Sequence, residues 1–558
     1  MALPDVTITV QDGSLGIVPA SVANIHVKVG VCSGGVVNTM YSFTDKNTLS
    51  TTLGQGPLVE AAAHSLGVNG GPVYCMPINP SVAATVSAVV QAGTGTGTLA
   101  VTQGPAQQIL VKMLAGTTQS TATFAVSVNG GPYGPTQGPY GAGPYTYAIP
   151  NTMTTLSLGA VTYTPGDVWT FATTGGIGTG GASSPPTLTS NVVDSFNPII
   201  TIVTSGALGA ATFTYSVDGG NTTSATTLVP STGKFAIPNT GIVLTFAGTF
   251  VAADTYTFTT TQAGYSNADV SAAFTALFAD ARQWGFVHIV GKATSIANAA
   301  SLASVVDTQM TAAAVAYRFA FAVIEAPWDA VTNNDAAYAA STTFNTFASV
   351  RTQVCVGDCG LTSGTVSGRV LQRSIAWPYT ARLALIPVGE DPGYVGRGSL
   401  TSVQSLYRNE TATPGLDALR YVTLRTLPGY AGYYVTNGNL MAAAGSDFNL
   451  VQRRRVMDLA CTITRAAELP FLNGSVRVDP VTGFIDPRDA GRFEARVNAQ
   501  LKAGIVDIMQ ATSSTVQLNR TTNLLSTSSE PVTVRIVPLG YFKSIPTNIG
   551  FTNPAIAQ

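Results

Sequence analysis

Residues 84–262 contain an internal repeat, and this repeat limits the folds open to the chain more than any other feature does. Three blocks return in the same order after 87 to 89 residues: Phe124–Gly131 as Phe213–Gly220, Ala148–Thr152 as Ala236–Thr240, and Asp167–Thr174 as Asp254–Thr261. Alternating apolar and polar residues that lead into Asn-Gly or Asp-Gly pairs are typical of short strands joined by tight turns. We therefore predict two tandem all-β sandwich-like modules, the first at 84–183 and the second at 184–262.

The density of charge changes at the borders of this repeat. Six charged residues lie in 1–83, six in 84–262 and 43 in 263–558. Apolar runs that suit buried strands, and apolar residues at helical spacing, alternate in the two outer parts. The predicted strands are 27–32, 72–78, 286–290 and 319–324, and the predicted helices are 57–66, 268–283 and 296–316. These patterns favour an α/β (α+β) multidomain body, at 21–83 plus 263–400, whose helix-covered mixed sheet is interrupted by the two β modules.

The last third of the chain predicts an α+β inner domain at 401–540. Ser446 or Asp447 suits the N-cap of a helix at 448–469 that Pro470 ends. A second helix opens at Asp486-Pro487 and closes at Gly504. Two alternating strands follow, at 515–519 and 532–537.

The two ends of the sequence predict extended arms, at 1–20 and 541–558. A lone strand satisfies its backbone donors and acceptors only by joining another sheet, which a second copy of the chain provides. The candidate residues for strand exchange between subunits are Val6, Ile8, Val10, Val532, Val534, Ile536, Ile545, Ile549 and Phe551.

Composition supports self-association. Charged residues make up 10% of the chain and the formal net charge is -1, so little electrostatic repulsion keeps copies apart. The same balance argues against a protein that wraps nucleic acid. Neither a secretory signal nor a long apolar run is evident, so we expect folding in a cytoplasm without membrane insertion. Five scattered cysteines indicate reduced thiols.

A search for catalytic or metal motifs favours no enzyme and no cofactor. The chain has three histidines, which we expect to be buried polar groups: His26, His64 and His288. Cys355 and Cys359 resemble half of a zinc knuckle, but no second pair completes a tetrahedral site. No P-loop, nucleophile elbow or paired carboxylate stands out. A hydrolase that uses His288 is the enzymatic alternative.

Arg453, Arg454 and Arg455 form the one cluster of charge that invites a functional interpretation. A solvated helix face is one interpretation, and a patch that docks on an acidic partner is the other. Arginine supplies 20 of the 27 basic residues, which favours protein interfaces.

Several motifs resemble those of the contractile tail sheath proteins of bacteriophages and related contractile injection systems. They are Pro4–Ile8, Gly30–Gly34, Gly71–Cys75, Asn437–Asn439, Ser446–Phe448, Arg454–Asp458 and Val534–Val537 before Pro546. The resemblance covers about 1–83 and 263–558, and it leaves the β modules as a variable, outward-facing insert.

This resemblance implies a structural subunit of a virion, assembled in the bacterial cytoplasm. Such subunits polymerise as stacked hexameric rings around a tail tube and contract to drive the tube through the bacterial envelope. The implied partners are other copies, the tail tube protein, and baseplate and tail terminator proteins, and the arginine helix would face the tube. The alternative is a surface- or glycan-binding tail or fibre protein whose tandem β modules carry the binding.

Overall fold

The computed structural model describes residues 22–104, 108–150, 152–172, 176–179, 187–443 and 445–551. The predicted N-terminal arm and residues 552–558 lie outside this part of the chain. So does most of the Gly/Pro-rich stretch between the two repeats.

Before the repeat, the chain forms the two predicted strands and the predicted helix close to their predicted positions, and also a strand and a helix that were not predicted. The elements are β1 (His26–Gly30), β2 (Tyr41–Phe43), α1 (Lys46–Leu53), α2 (Pro57–Asn69) and β3 (Val73–Pro77). The strand and the helix that were not predicted are β2 and α1.

Between residues 84 and 262 the described chain forms strands and turns without a helix, as predicted. The strands are β4 (Thr85–Val86), β5 (Val90–Ala92), β6 (Thr98–Gln103), β7 (Ile109–Ala115), β8 (Thr123–Val128), β9 (Thr146–Ile149), β10 (Thr154–Ser157), β11 (Val168–Ala172), β12 (Gly176–Thr179), β13 (Thr187–Ser190), β14 (Ile199–Thr204), β15 (Gly206–Ala207), β16 (Thr212–Ser216), β17 (Thr227–Leu228), β18 (Lys234–Ile237), β19 (Ile242–Ala247), β20 (Thr249–Phe250), β21 (Thr255–Thr257) and β22 (Thr260–Thr261).

After the repeat, helices return. The elements are α3 (Asn267–Ala279), β23 (Phe286–Ile289), α4 (Ile296–Val315), β24 (Phe321–Ala326), α5 (Asp335–Ala340), α6 (Thr342–Thr346), β25 (Thr352–Val356), β26 (Asp358–Thr362), β27 (Val370–Ser374), α7 (Ala376–Leu385), β28 (Val403–Leu406), β29 (Leu424–Leu427), β30 (Tyr430–Val435), α8 (Val451–Glu468), α9 (Pro487–Leu501), β31 (Ala511–Leu518), α10 (Leu524–Thr527) and β32 (Val532–Pro538).

The body is built on a six-stranded sheet in the order β2-β3-β1-β23-β24-β25. All neighbours in it pair in parallel except β2, which runs antiparallel to β3. Since β1 pairs with both β3 and β23, the sheet joins the segments before and after the repeat. Successive residues of β23 face opposite layers: Val287 packs with helices α3 and α4, and Phe286 packs with α7. The mixed α/β body with helices on both faces is therefore present.

The repeat corresponds to two sandwiches with the same strand order. Sandwich A (residues 108–190) pairs the sheets β12-β11-β7-β8 and β13-β10-β9. Sandwich B (residues 90–103 and 199–257) pairs the sheets β17-β16-β14-β21-β5 and β18-β19-β6. Strands β7, β8, β9, β10 and β11 thus correspond to β14, β16, β18, β19 and β21.

The closing strands of the two sandwiches come from different places in the sequence. In sandwich A, β12 and β13 follow the other strands and pair with β11 and β10. In sandwich B, the equivalent positions beside β21 and β19 are filled by β5 and β6, which precede sandwich A in the chain. The predicted boundaries at 84–183 and 184–262 are therefore corrected, because backbone pairing assigns residues 90–103 to the second sandwich.

Sandwich B shares an apolar core with the body, whereas sandwich A has a core of its own. Phe213 and Ile200 of sandwich B belong to the same buried cluster as Val27 and Ile289 of the body sheet. The separate core of sandwich A includes the fully buried Trp169. Sandwich B is thus continuous with the body, and sandwich A is an appended unit.

A buried ion pair fastens sandwich B to the body. Arg373 donates from Nη2 to Oδ2 of Asp194 at 2.7 Å, and each side chain is only 5% exposed. The guanidinium group also lies 4.9 Å from the ring centroid of Trp377. Burial raises the pKa of Asp194 to about 6 even with this partner. Removal of either charge would leave the other uncompensated in the interior.

The C-terminal unit packs α8 and α9 under a hairpin of β31 and β32. Asp486 caps α9 as predicted, since its carboxylate accepts from the Arg488 amide at 2.8 Å. The predicted cap and start of the preceding helix were wrong. Leu450 is extended, and residues 439–440 pair with residues 449–450, so this backbone cannot enter the helix before Val451.

Gly504 was predicted to end α9, and this prediction was wrong. The helix ends at Leu501 and continues as a π-helical turn at Lys502–Val506, which contains Gly504. A Cβ on Gly504 would lie 2.5 Å from Cδ1 of Ile463 on α8. The glycine therefore permits close contact between the two helices rather than a helix stop.

Candidate assembly surfaces

The hairpin of β31 and β32 is a sheet with two open edges. Its register runs from Leu518 opposite Val532 to Ala511 opposite Pro538. Within the described residues neither strand has a second strand as neighbour. Each outer edge therefore presents backbone donors and acceptors that a further strand can use.

Three of the predicted strand-exchange residues pack inside their own protomer. Val532, Val534 and Ile536 alternate with exposed residues along β32, and their half-buried side chains contact the layer of α8 and α9. They hold the hairpin on the helices. What remains available for exchange on β32 is its backbone edge.

A shallow groove of about 330 Å³ lies beside β32. Its walls are the exposed side of α8 and the tip of the body around Tyr317, with Val534 and Ile536 at the hairpin side. Arg465 of α8 lies 3.5 Å from the centroid of the Tyr317 ring. The groove is predominantly apolar, as a site for the side chains of an added strand requires.

The segment after β32 is anchored at its start and free beyond it. The Tyr541 hydroxyl donates to the Gly389 carbonyl at 2.7 Å, and the Lys543 ammonium group binds the Asp391 carboxylate and Oδ1 of Asn437. No described residue from 544 to 551 makes a hydrogen bond to another part of the protomer. The predicted exchange residues in this stretch are strongly exposed: Ile545 73%, Ile549 94% and Phe551 110%.

The predicted N-terminal exchange strand lies outside the described residues, and Val6, Ile8 and Val10 with it. The described chain begins at a short 3-10 turn, Val22–Asn24, beside α8. The Asn24 side chain accepts from Nη2 of Arg455 at 2.9 Å and donates to the Ile386 carbonyl at 3.2 Å. The first described residues of the chain therefore lie next to the C-terminal unit.

Two of the three consecutive arginines are buried. Arg454 pairs with Asp458 at 2.6 Å and lies over the Phe448 ring. Arg455 donates to the Leu383 and Ile386 carbonyls at the end of α7, at 2.9 and 3.3 Å.

Burial lowers the pKa of Arg455 to about 10. Only Arg453 is partly exposed, with one long hydrogen bond of 3.4 Å to Asn449. Contact of this helix with a tube stays a prediction, but an exposed patch of three guanidinium groups is not present.

A buried polar chain crosses the body sheet, and the sequence did not indicate it. Lys28 contacts Nδ1 of His288 at 3.0 Å and donates to the Thr380 hydroxyl at 3.1 Å. The opposite ring nitrogen, Nε2 of His288, lies 3.0 Å from the Glu325 carboxylate, which also accepts from the Trp377 indole at 2.7 Å. Burial lowers the pKa of Lys28 to about 7 and raises that of Glu325 to about 7. The network is buried between the sheet and the helices, and its Glu325–Trp377 end borders a cavity of about 590 Å³.

The other residues considered for chemistry are also interior groups. His26 and His64 are buried, as predicted, and His26 stacks on Phe286 with ring centroids 5.1 Å apart. Cys355 and Cys359 are buried free thiols. In the described part of the chain, no three histidine, cysteine, aspartate or glutamate side chains cluster as a metal site would require.

The sequence matches the family of the DUF2586 N-terminal domain over residues 3–439. The chain belongs to the DUF2586 family. A comparison with curated proteins gave no match. Among solved structures, this DUF2586 chain is similar to the sheath tail protein of Desulfitobacterium hafniense (TM-score 0.42, 11% identity, 96% of this chain and 100% of that chain). The sheath tail protein of Listeria innocua is also similar (TM-score 0.41, 11% identity, 92% of this chain and 95% of that chain).

A third similar structure is the cryo-EM structure of the anti-feeding prophage baseplate (TM-score 0.37, 11% identity, 52% of this chain and 74% of that chain). Sheath tail proteins are the class that the sequence motifs resemble. The DUF2586 match ends at residue 439, before α8, so the open-edged hairpin lies beyond it. No helix in the described ranges of this DUF2586 chain has the length and apolarity to cross a membrane.

Proposed function

We propose that this DUF2586 protein is a structural subunit of a contractile tail sheath. The observation that carries the proposal is the pairing of an open-edged hairpin, β31–β32, with an exposed apolar segment at 545–551 in the same chain. An exposed edge and an exposed apolar strand within one molecule are each liabilities that association between copies removes. Donation of the segment to the hairpin of a neighbour satisfies both.

The contacts of the segment suit a linker between rigid bodies. Tyr541 and Lys543 fix its first residues to the protomer that donates it, and the residues beyond are left for the neighbour. Val22–Asn24 lie beside the same C-terminal unit, and in this proposal the strand at Val6–Val10 joins the hairpin of an adjacent subunit. Subunits joined by short extended segments can rotate relative to one another while the lattice stays linked.

In this proposal the subunits form stacked hexameric rings around a tail tube and move to a shorter lattice when the baseplate signals. The contraction drives the tube through the bacterial envelope. The energy comes from better contacts between bodies in the final lattice, so no nucleotide is required. Tail tube, baseplate and tail terminator proteins are the partners, and the virion is the location.

A deletion tests the role of the arms. The full-length protein and a variant without residues 1–12 are each incubated with purified tail tube protein, and the polymer is imaged by negative-stain electron microscopy. We expect ringed sheaths around tubes for the full-length protein and single subunits for the variant. Sheaths of normal length from the deletion variant would contradict strand exchange by the N-terminal arm.

The arginine helix needs a separate test because two of its three guanidinium groups are internal. Arg453→Glu changes the exposed position and leaves Arg454 and Arg455 in place. Weaker co-sedimentation with the tube, at unchanged thermal stability, supports a tube-facing helix. Equal co-sedimentation removes that assignment while the sheath proposal stands.

A further inference from the structure

In the described residues, the two chain connections of sandwich A to the rest of the molecule lie at one place. The chain leaves sandwich B at Gly104, whose amide donates to the Gly241 carbonyl at 3.0 Å. It returns at Asn191, whose carbonyl would lie 2.7 Å from a Cβ on Gly241. Both connections therefore meet the same turn between β18 and β19. An insert whose two ends are this close, with a core of its own, is removable without a break in the surrounding sheets.

The turn after β8 in sandwich A and the equivalent turn after β16 in sandwich B make different contacts. In sandwich B, the turn after β16 faces the body, and Oδ2 of Asp218 accepts from the Val370 amide at 3.3 Å. The position of Asp218 is taken in sandwich A by the uncharged Asn129, which bonds only to Gln108 next to it. Every described hydrogen bond of residues 129–147 stays within sandwich A. In sandwich B this end docks on the body. In sandwich A no hydrogen bond joins the equivalent end to another described part of the chain.

The loop at this end of sandwich A, residues 129–147, is unusually rich in tyrosine, and we call it the tyrosine loop. The triplet Gly-Pro-Tyr occurs in it three times, ending at Tyr133, Tyr140 and Tyr145, and Tyr147 follows. The corresponding stretch of sandwich B contains no tyrosine. Four glycine–proline pairs limit the conformations that the backbone can adopt, so the rings lose little freedom when they bind a partner.

The tyrosine rings pack on the core of sandwich A on one side and are accessible to solvent on the other. Tyr140 and Tyr147 pack on the buried Phe124, with ring centroids 6.4 and 5.7 Å apart, and Tyr145 packs on the same core. Tyr133 is 42% exposed, with the Lys112 ammonium group 5.9 Å from its ring centroid. None of the four hydroxyl groups has a hydrogen-bond partner in the described structure. The loop therefore presents fixed aromatic surface together with free hydroxyl groups.

The composition of the tyrosine loop selects the chemistry of its partner. Residues 129–147 contain no charged residue and no Val, Ile, Leu or Met. A cationic ligand would find no opposite charge in the loop, and an anionic ligand would find only Lys112 beside Tyr133. Met and Arg, which are enriched at protein interfaces, are absent from the loop. Rings that offer an apolar face and a polar edge fit a ligand with apolar C–H faces and many hydroxyl groups. We propose that the tyrosine loop binds neutral polysaccharide, through the ring faces of Tyr133, Tyr140 and Tyr145 and their hydroxyl groups.

This activity is separate from the proposed function, because the tyrosine loop lies far from the hairpin in the chain and on a unit with its own core. The test uses the full-length protein and measures retention on immobilised dextran, soluble starch and mannan, with polygalacturonate as an anionic counter-probe. We expect binding to at least one neutral polymer and no preference for the anionic one. No binding to any of the three neutral polymers overturns the proposal.

Substitutions of single tyrosines identify the residues that bind the polysaccharide. Tyr133→Ala and Tyr145→Ala should each weaken binding by up to about tenfold, and Tyr133→Phe should weaken it less because the ring face remains. Tyr430→Ala, at a 63% exposed tyrosine of the body, is the control and should bind as the unchanged protein does. A thermal melt of each variant checks that sandwich A is folded. Retention that is equal in all variants, or binding that is strongest to polygalacturonate, overturns the proposal, whereas sheath assembly should be unaffected in every case.

Discussion

Replacement of the exposed apolar residues after the hairpin should prevent polymerisation of this DUF2586 protein. The variant carries Ile545→Ser, Ile549→Ser and Phe551→Ser, three positions that are 73% exposed or more in the single chain. Full burial of one such side chain contributes about 1.5–3 kcal/mol. If a neighbour covers half of each, the three changes together remove about 3 kcal/mol per contact, on the order of a hundredfold in affinity.

A matched control separates this effect from a general loss of apolar surface. Val315→Ser, Val331→Ser and Val481→Ser change three residues that are 77%, 83% and 89% exposed elsewhere on the surface. Both triple variants and the unchanged protein are assembled over a concentration series and pelleted, and the critical concentration for polymer is measured. We expect a rise of about a hundredfold for the segment variant alone. A segment variant that polymerises at the same concentration as the control would refute the argument for strand exchange.

Three further changes test the account of the fold. Gly504→Ala should lower the unfolding free energy by no more than about 1 kcal/mol, because its Cβ meets only the terminal methyl group of Ile463, which can move aside. Gly491→Ala, with open space around it in α9, should be neutral or stabilising by up to about 1 kcal/mol, and thermal melts compare the two. Arg373→Met should lower stability by about 3–5 kcal/mol in chemical denaturation, because Asp194 is then an unpaired buried charge. Hydrogen bonds from the guanidinium group of Arg282 lower the pKa of Asp280 to about 2. The contribution of Asp280 to the unfolding free energy is therefore complete above about pH 4 and is lost as the pH falls towards 2. Asp280→Asn should flatten the dependence of stability on pH in that window.

Local signals predicted the elements whose ends depend on local chemistry. The Asp486-Pro487 pair located the start of α9, because a carboxylate cap and a proline at the first turn act within a few residues. The helix before it was placed too early because Leu450 is held in extended backbone by pairing with residues around 439, a tertiary contact that propensity cannot reveal. Gly504 carried an ambiguous signal, since a glycine near a helix end suits either a stop or a close helix contact.

Long-range features were not accessible in the same way. Lys28, His288 and Glu325 are scattered along the sequence, and only the parallel order of three strands brings them side by side. The burial of Arg454 and Arg455 was hidden for a related reason: their acceptors include Asp458 nearby but also the end of α7, some 70 residues earlier. A run of three arginines therefore suggested an exposed patch, although the side chains of two of them are buried and bind interior acceptors.

The repeat shows how a duplication can divide two tasks within one chain. Strands β5 and β6 complete sandwich B from the sequence before sandwich A, so the inserted sandwich connects at one turn and leaves its neighbour's sheets whole. Sandwich B has kept its core continuous with the body and uses Asp218 to dock there, which fixes it to the part of the molecule that would carry the lattice. Sandwich A lacks that carboxylate and carries the tyrosine loop at the equivalent end. A contact surface there can change during evolution at little cost to the body, because the described contacts between the two cores cluster around the turn at Gly241, where Met153 also packs.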